Sequence, residues 1–201
     1  GVSSAASDVY KRQDGGINMI RKATPSDNKQ IAKLYYLIWK DMELDIVKEI
    51  SKKRMINLLE LSIVNVHYRT YYKNIWVYEK NNEVAGCIIA YDGSKEMEYE
   101  EQWNQLPLEE DIRLVGTPLP IKEAKNDEWY IEAVVTSPDY RGQGIATQLL
   151  EHLITTSFNK KWSLNCDYNN EKALKLYKQL GFKWVEDINL YGHDYLHMIY
   201  I

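Results

Sequence analysis

Two short stretches of this chain carry residues whose types and spacing could do chemistry. The first runs Val134-Val135-Thr136-Ser137-Pro138-Asp139-Tyr140-Arg141-Gly142-Gln143-Gly144-Ile145-Ala146, a β-like run that breaks into a glycine-rich turn and opens onto a helix. That arrangement suits a phosphate. Gly142 and Gly144 remove Cβ atoms where a bulky anion must approach the backbone. A helix beginning near Ile145 aims its free N–H groups and the positive end of its dipole at that anion. Two common phosphate motifs are excluded by spelling. A Walker loop needs G-x-x-x-x-G-K-[ST], and Thr147 stands where a dinucleotide fingerprint needs its third glycine.

The second stretch is Asn170-Glu171-Lys172-Ala173-Leu174-Lys175-Leu176-Tyr177-Lys178-Gln179-Leu180-Gly181-Phe182. Leu174, Leu176, Tyr177 and Leu180 are consistent with one helix packed along an apolar face. Asn169 or Asn170 suits its N-cap, and Gly181 suits the left-handed position that ends it. The first stretch, R-x-x-G-x-A after Thr-Ser-Pro, resembles the acyl-CoA loop of the GNAT N-acetyltransferase superfamily. The second resembles that family's later segment, N-x-x-A-x-x-L-Y-x-x-L-G-F. The two stand in the family order, about thirty residues apart, and the resemblance covers nearly everything after Met19. It implies an α/β (α+β) fold, the GNAT acyl-CoA N-acyltransferase fold, with a central mixed, mostly antiparallel sheet of six to seven strands flanked by helices. A generic α/β domain with similar turns is the alternative.

The resemblance also distributes roles. Transfer of acetyl from a thioester to an amine needs a held thioester, a neutral amine, a stabilised oxyanion and a proton for the departing thiolate. With acetyl-CoA as donor, the pyrophosphate is expected at Arg141, Gly142, Gln143, Gly144, Ile145, Ala146 and Thr147. The pantetheine arm is expected along a free backbone edge at Val134, Val135 and Thr136, which also supplies the oxyanion donor. Tyr177 matches the family's tyrosine that protonates the CoA sulfur, although a core aromatic explains it too. Asn170 matches a residue that touches the cofactor arm, although helix capping alone accounts for it. Lys172, Lys175 and Lys178 either meet a 3′-phosphate or form a solvated helix face. Glu132 is the first candidate for the base, because it interrupts an apolar Tyr130-Ile131-x-Ala133-Val134 run, and Glu128 is a second.

Other chemistries find little support. His193 and His197 are four apart, but the run around them reads as a strand rather than the helix a metal pair would need, so no metal is expected. No H-E-x-x-H and no G-x-S-x-G occurs. At 201 residues, 45% hydrophobic and 27% charged, the chain fits a single soluble domain, and a net charge of -4 argues against nucleic acid as main partner. Cys87 and Cys166 form no C-x-x-C pair and read as buried free thiols of a reducing, cytoplasmic setting. No apolar run is long enough for a membrane span.

Positioning elements follow from periodicity. Residues 1–18 are small, polar and aperiodic and are expected to be a non-native or disordered leader, with one domain over 19–201. Strands are expected at 19–23, 75–79, 84–91, 129–136, 162–167, 183–190 and 195–201. Helices are expected after Thr24-Pro25-Ser26-Asp27, over about 44–72, at 144–157 and at 169–180. Residues 92–127 read as a long acidic segment in which Glu96, Glu98, Glu100, Glu101, Glu109, Glu110 and Asp111 either steer a basic acceptor or form a solvated loop. Aromatic residues at 35–39 and 68–76 could line the acceptor side or simply pack. The leading functional expectation is an acetyl-CoA-dependent N-acetyltransferase acting on a small-molecule or peptide amine, in a chain that could form a homodimer. A non-catalytic acyl-CoA sensor and a binder of some other phosphate ligand are the alternatives. The acceptor itself stays open.

Overall fold

The computed structural model of the chain describes residues 9–13 and 16–201, with side chains from residue 17 onward, so the expected leader lies partly outside the described residues. Among the described residues eight strands form one sheet: β1 (Val9–Gln13), β2 (Gly16–Lys22), β3 (Ile75–Lys80), β4 (Glu83–Asp92), β5 (Trp129–Thr136), β6 (Trp162–Asp167), β7 (Phe182–Leu190) and β8 (His193–Tyr200). Their order is β1-β2-β3-β4-β5-β6-β8-β7, and every pairing is antiparallel except β5 with β6. Strands β2 to β8 are the expected sheet, and β1 adds an eighth strand to its edge. Asn81 and Asn82 turn β3 into β4 with φ of 54° and 60°, the left-handed conformations that asparagine tolerates in a tight hairpin.

Two irregularities in β5 position the site. The first is a bulge: β4 pairs Ile89 with Ala133 and Ala90 with Ile131, which leaves Glu132 without a partner. The extra residue breaks the alternation of faces. Tyr130 and Ala133 pack on one side of the sheet, Ile131 on the other, and the Glu132 side chain joins the Tyr130 and Ala133 side, where it meets Tyr35 and Tyr91. The second is a splay: β5 pairs with β6 only at Trp129 and Tyr130, and beyond Tyr130 the two strands diverge. The backbone edge of residues 131–136 facing β6 is therefore left without a strand partner.

Helices cover both faces. On one side lie α1 (Asn28–Asp41), α2 (Asp45–Glu49), α3 (Lys52–Val64), α4 (Glu96–Glu101) and α5 (Glu110–Val115), around a core that includes Ile31, Tyr35, Trp39, Leu59 and Trp103. On the other, α6 (Ile145–Thr156) buries Ile145, Leu149, Leu150 and Leu153, and α7 (Glu171–Leu180) lays Leu174, Leu176, Tyr177 and Leu180 against the same core. At Gly86 the start of α6 comes so close to β4 that a Cβ would lie 2.8 Å from Ile145 Cγ2 and 3.0 Å from the Val135 carbonyl oxygen.

The expected continuous helix over 44–72 is not present. Ile50 is extended, Ser51 caps α3 by accepting from the Arg54 N–H, and the helix ends at Val64. The chain leaves the helix so that Tyr68, Arg69 and Thr70 enter the core, each with 0% exposure. Arg69 explains the departure. Its Nε donates to Glu100 at 2.7 Å, its Nη1 to Glu96 (2.9 Å), the Tyr91 hydroxyl (3.0 Å) and Glu132 (3.1 Å), and its Nη2 to the Leu119 carbonyl (2.9 Å).

The acidic segment 92–127 likewise differs from the expected solvated loop. Glu96 and Glu100 are buried as partners of Arg69, while Trp103, Leu106, Ile112 and Leu119 anchor the segment in the core. Glu98, Glu101, Glu109, Glu110 and Asp111 do face solvent. Removing the Arg69 guanidinium would strand Glu96, Glu100 and Glu132 in the interior. Arg69→Met is expected to lose about 3–5 kcal/mol of stability in urea unfolding. Gly86→Ala would meet a carbonyl oxygen that cannot move without β5, and is expected to cost about 1–3 kcal/mol in the same measurement.

Candidate active site

The glycine turn is shaped as its residues require. Gly142 and Gly144 have φ of 77° and 74°, left-handed values that disfavour a side chain, and Gly144 occupies the N-cap of α6. The first helical hydrogen bond runs from the Gln148 N–H to the Gly144 carbonyl at 3.1 Å. The N–H groups of Ile145, Ala146 and Thr147 precede it and are the orphan donors of the helix start. They open on a groove of about 780 Å³ that runs between β5 and α7, lined by Val134, Val135, Thr136, Arg141, Gly142, Gly144, Ile145, Ala146, Thr147, Asn170 and Tyr177 among others. Of the residues expected to hold a donor, only Gln143 is outside this lining; its side-chain oxygen accepts from Lys80 instead. Lys172 and Lys175 line the groove and Lys178 does not, so with Arg141 one end of the cavity is basic.

A second cavity of about 440 Å³ adjoins the first, and both are walled by Ile38, Asp41, Val134, Asn170, Ala173 and Tyr177. Its lining includes Asp41, Glu123, Glu132 and Asp167 and no lysine or arginine. The two cavities thus have opposite character, basic where phosphates would lie and acidic where an amine would. Tyr177 stands at their junction. Its hydroxyl has no hydrogen-bond partner among the described residues, and burial, with Cys166 nearby, raises its pKa, so that it keeps its proton at neutral pH. Asn170 caps α7 by accepting from the Ala173 N–H at 3.1 Å and also lines both cavities. Its two expected roles are therefore compatible. Cys87 and Cys166 are buried free thiols, with pKa values raised by burial to about 12 and about 11.

The acids divide by how many donors they receive. Glu132, the first candidate for the base, lines the second cavity, but its carboxylate accepts from the Tyr35 hydroxyl (2.6 Å), the Tyr91 hydroxyl (2.9 Å) and Arg69 (3.1 Å). Its side chain is 3% exposed, and burial raises its pKa against the opposing pull of Arg69 and the two tyrosines. Glu128, the second candidate, lines neither cavity; it is bound to His197 Nε2 at 2.8 Å.

Glu123 went unnoticed in the sequence, where Ile121-Lys122-Glu123-Ala124-Lys125 has no distinguishing pattern. It lines the second cavity beside Glu132, accepts one hydrogen bond, from the Tyr130 hydroxyl at 2.9 Å, and leaves its other oxygen without one. Burial raises its pKa to about 8; Arg69 works against the rise, and Glu132 and Glu96 add to it. The tyrosines and tryptophans of 35–39 and 68–76 do not line this cavity; Tyr130, Tyr177 and Tyr195 do. Among the described residues no group of three His, Cys, Asp or Glu side chains could hold a metal ion, and no helix is long and apolar enough to cross a membrane.

Comparison with known proteins bears on this geometry. The profile of the Acetyltransferase (GNAT) family matches residues 31–182. An N-acetyltransferase from Staphylococcus aureus Mu50 has 54% sequence identity and a TM-score of 0.89, with 90% of this chain and 99% of that one covered. A solved acetyltransferase structure has 35% identity and a TM-score of 0.72, covering 90% and 97% of the two chains. The peptidyl-lysine N-acetyltransferase YjaB of Salmonella typhimurium is 37% identical over 54 residues, which are 27% of this chain and 36% of that protein. The chain spans between 8% and 36% of the length of the curated relatives it matches. With the glycine turn, the splayed strand and the tyrosine helix in one groove, and the family profile over three quarters of its length, the chain belongs to the GNAT family of acetyltransferases.

Proposed function

We propose that the protein transfers acetyl from acetyl-CoA to the primary amine of a small molecule or peptide, by direct attack with both substrates bound. The observation that carries this reading is the junction of the two cavities at Tyr177, which lets a donor and an acceptor be held at once and meet there. The chain's own atoms fit the donor. Orphan N–H groups at the start of α6, with Arg141, Lys172 and Lys175 around them, suit its phosphates, and the unpaired edge of β5 suits an amide-bearing arm. Acetyl-CoA supplies an activated thioester.

The protein supplies position and proton traffic. The backbone N–H of Val134, which by strand alternation lies on the free edge while that of Val135 is turned to β4, faces the place where a carbonyl oxygen gains negative charge; such a donor is typically worth on the order of a hundredfold to a thousandfold in rate. The Tyr177 hydroxyl, kept protonated by burial and free of protein partners, gives its proton to the departing thiolate. The acidic lining of the second cavity draws the acceptor in as an ammonium.

A thiol-release screen with acetyl-CoA against polyamines, aminoglycosides, amino acids and peptide N-termini is expected to find a primary amine that is turned over. With that amine, Tyr177→Phe is expected to lower kcat by about a hundredfold while CoA affinity in calorimetry stays within about threefold. CoA binding without thiol release from any amine would replace this reading with that of a sensor. Full activity of Tyr177→Phe would remove the role given to the tyrosine.

A further inference from the structure

Resting on the acetyltransferase reading above, we propose that Glu123 is the catalytic base that takes the proton from the incoming ammonium, with Glu132 as a positioning residue beside it. Four carboxylates surround one guanidinium: Glu96, Glu100, Glu123 and Glu132 around Arg69. Three of them are well supplied with donors. Glu96 accepts from the Glu123 and Ala124 N–H groups and from Arg69. Glu100 accepts from Tyr68, Arg69 and the Leu119 N–H. Glu132 accepts from Tyr35, Tyr91 and Arg69. Glu123 receives one hydrogen bond, and its Oε2 has Arg69 no nearer than 3.5 Å. It is the carboxylate with unused lone pairs; Oε2 itself is closed to solvent, and the 6% of the residue that is exposed forms part of the cavity wall.

A hydrogen-bonded chain fixes its other oxygen. The Tyr130 hydroxyl donates to Glu123 Oε1 and accepts from Asn165 Nδ2 at 3.1 Å. Asn165 Nδ2 also reaches the Glu123 carbonyl, so its oxygen faces His197 Nδ1 at 2.6 Å, and His197 Nε2 meets Glu128 at 2.8 Å. The buried chain holds Glu123 in one orientation.

The charged and titratable groups that Glu123 feels come from every neighbouring element: Arg69, Glu96 of α4, Glu132 and Tyr130 of β5, Tyr35 of α1, Tyr91 of β4, and Tyr191 and Tyr195 around β8. One cation among several anions, away from water, makes Glu123 hold a proton until about pH 8 and then serve as a base matched to an ammonium.

The step balances as follows. The Glu123 carboxylate takes one proton from R–NH3+, and the freed nitrogen lone pair forms the C–N bond to the acetyl carbon. The C–S bond breaks, and the thiolate takes the Tyr177 proton. The nitrogen's second proton restores Tyr177, and the proton on Glu123 passes to water.

The test uses the whole 201-residue chain, acetyl-CoA and the best amine from the screen. For the wild type, kcat/KM is expected to rise with pH through about 8. In Glu123→Gln that limb is expected to move up towards the pKa of the free amine, near about 10, with kcat/KM at neutral pH lower by about a hundredfold. A fluorinated analogue of the amine, already neutral at pH 7, is expected to recover most of that loss. Glu132→Gln is expected to keep the limb but move it below 8, because the Glu132 charge adds to the rise at Glu123.

Stability separates a base from a structural carboxylate. The folded-state pKa of Glu123 lies above its unfolded value near about 4.3, so its contribution favours folding most at low pH and is lost as pH rises through about 8. Glu123→Gln is therefore expected to melt no lower than the wild type at pH 9. A lower melting point there, equal slowing of both amines, or loss of the limb in Glu132→Gln in place of Glu123→Gln would each overturn the proposal. A wild type that releases thiol from no amine would overturn the acetyltransferase reading itself, a different result.

Discussion

The Arg69 guanidinium, enclosed at 0% exposure by four carboxylates, is the constraint around which one half of this molecule is arranged. A buried cation is tolerable only when its donors are met, and this one meets α4 through Glu96 and Glu100, β4 through Tyr91, β5 through Glu132, and the loop at Leu119. That requirement ends α3 early and folds the acidic segment onto the sheet. One positive charge cannot neutralise four negative ones, so the excess falls on the acid with fewest donors. A structural necessity and a group that titrates at about pH 8 thus come from the same cluster.

Strand β5 joins that cluster to the groove. Its bulge brings Ala133 to the side of the sheet where Tyr130 lies and Glu132 meets Arg69, and its divergence from β6 opens the backbone edge beyond Tyr130. A regular strand would have placed Glu132 at the same register but left Ala133 on the opposite face, and a fully paired one would have closed the edge. The close contact at Gly86 then fixes the start of α6 against β4 and β5. The glycine turn, the open edge and the acidic cavity are held by one irregular strand, and Tyr177 reaches their junction from α7.

Much of this was legible in the sequence where the signal is local. Strands β5 and β6 fall on their expected residues, and α6 begins at Ile145 because glycines with positive φ precede an apolar period. Asn170 caps and Gly181 ends α7, at a φ of 111°. These are choices that a few neighbouring residues make among themselves. The expectations that failed concern residues whose partners are distant. The helix over 44–72 could not show its end at Val64, because its reason, Arg69, pairs with acids 27 to 63 positions away. Glu96 and Glu100 read as solvated because charge in a loop ordinarily is. Glu123 had no motif to mark it, and Glu128 proved to be the partner of a histidine 69 positions later.

The sequence by itself determined the phosphate turn, the tyrosine helix, the sheet that lies between them and the family to which they belong, since each rests on backbone preferences and spacings within about a dozen residues. Only the tertiary structure decided which acids are buried, how many donors each receives and which of them faces the cavity. Proton affinity in an interior depends on the sum of charges and hydrogen bonds converging from many elements, and that sum exists only once the chain has folded.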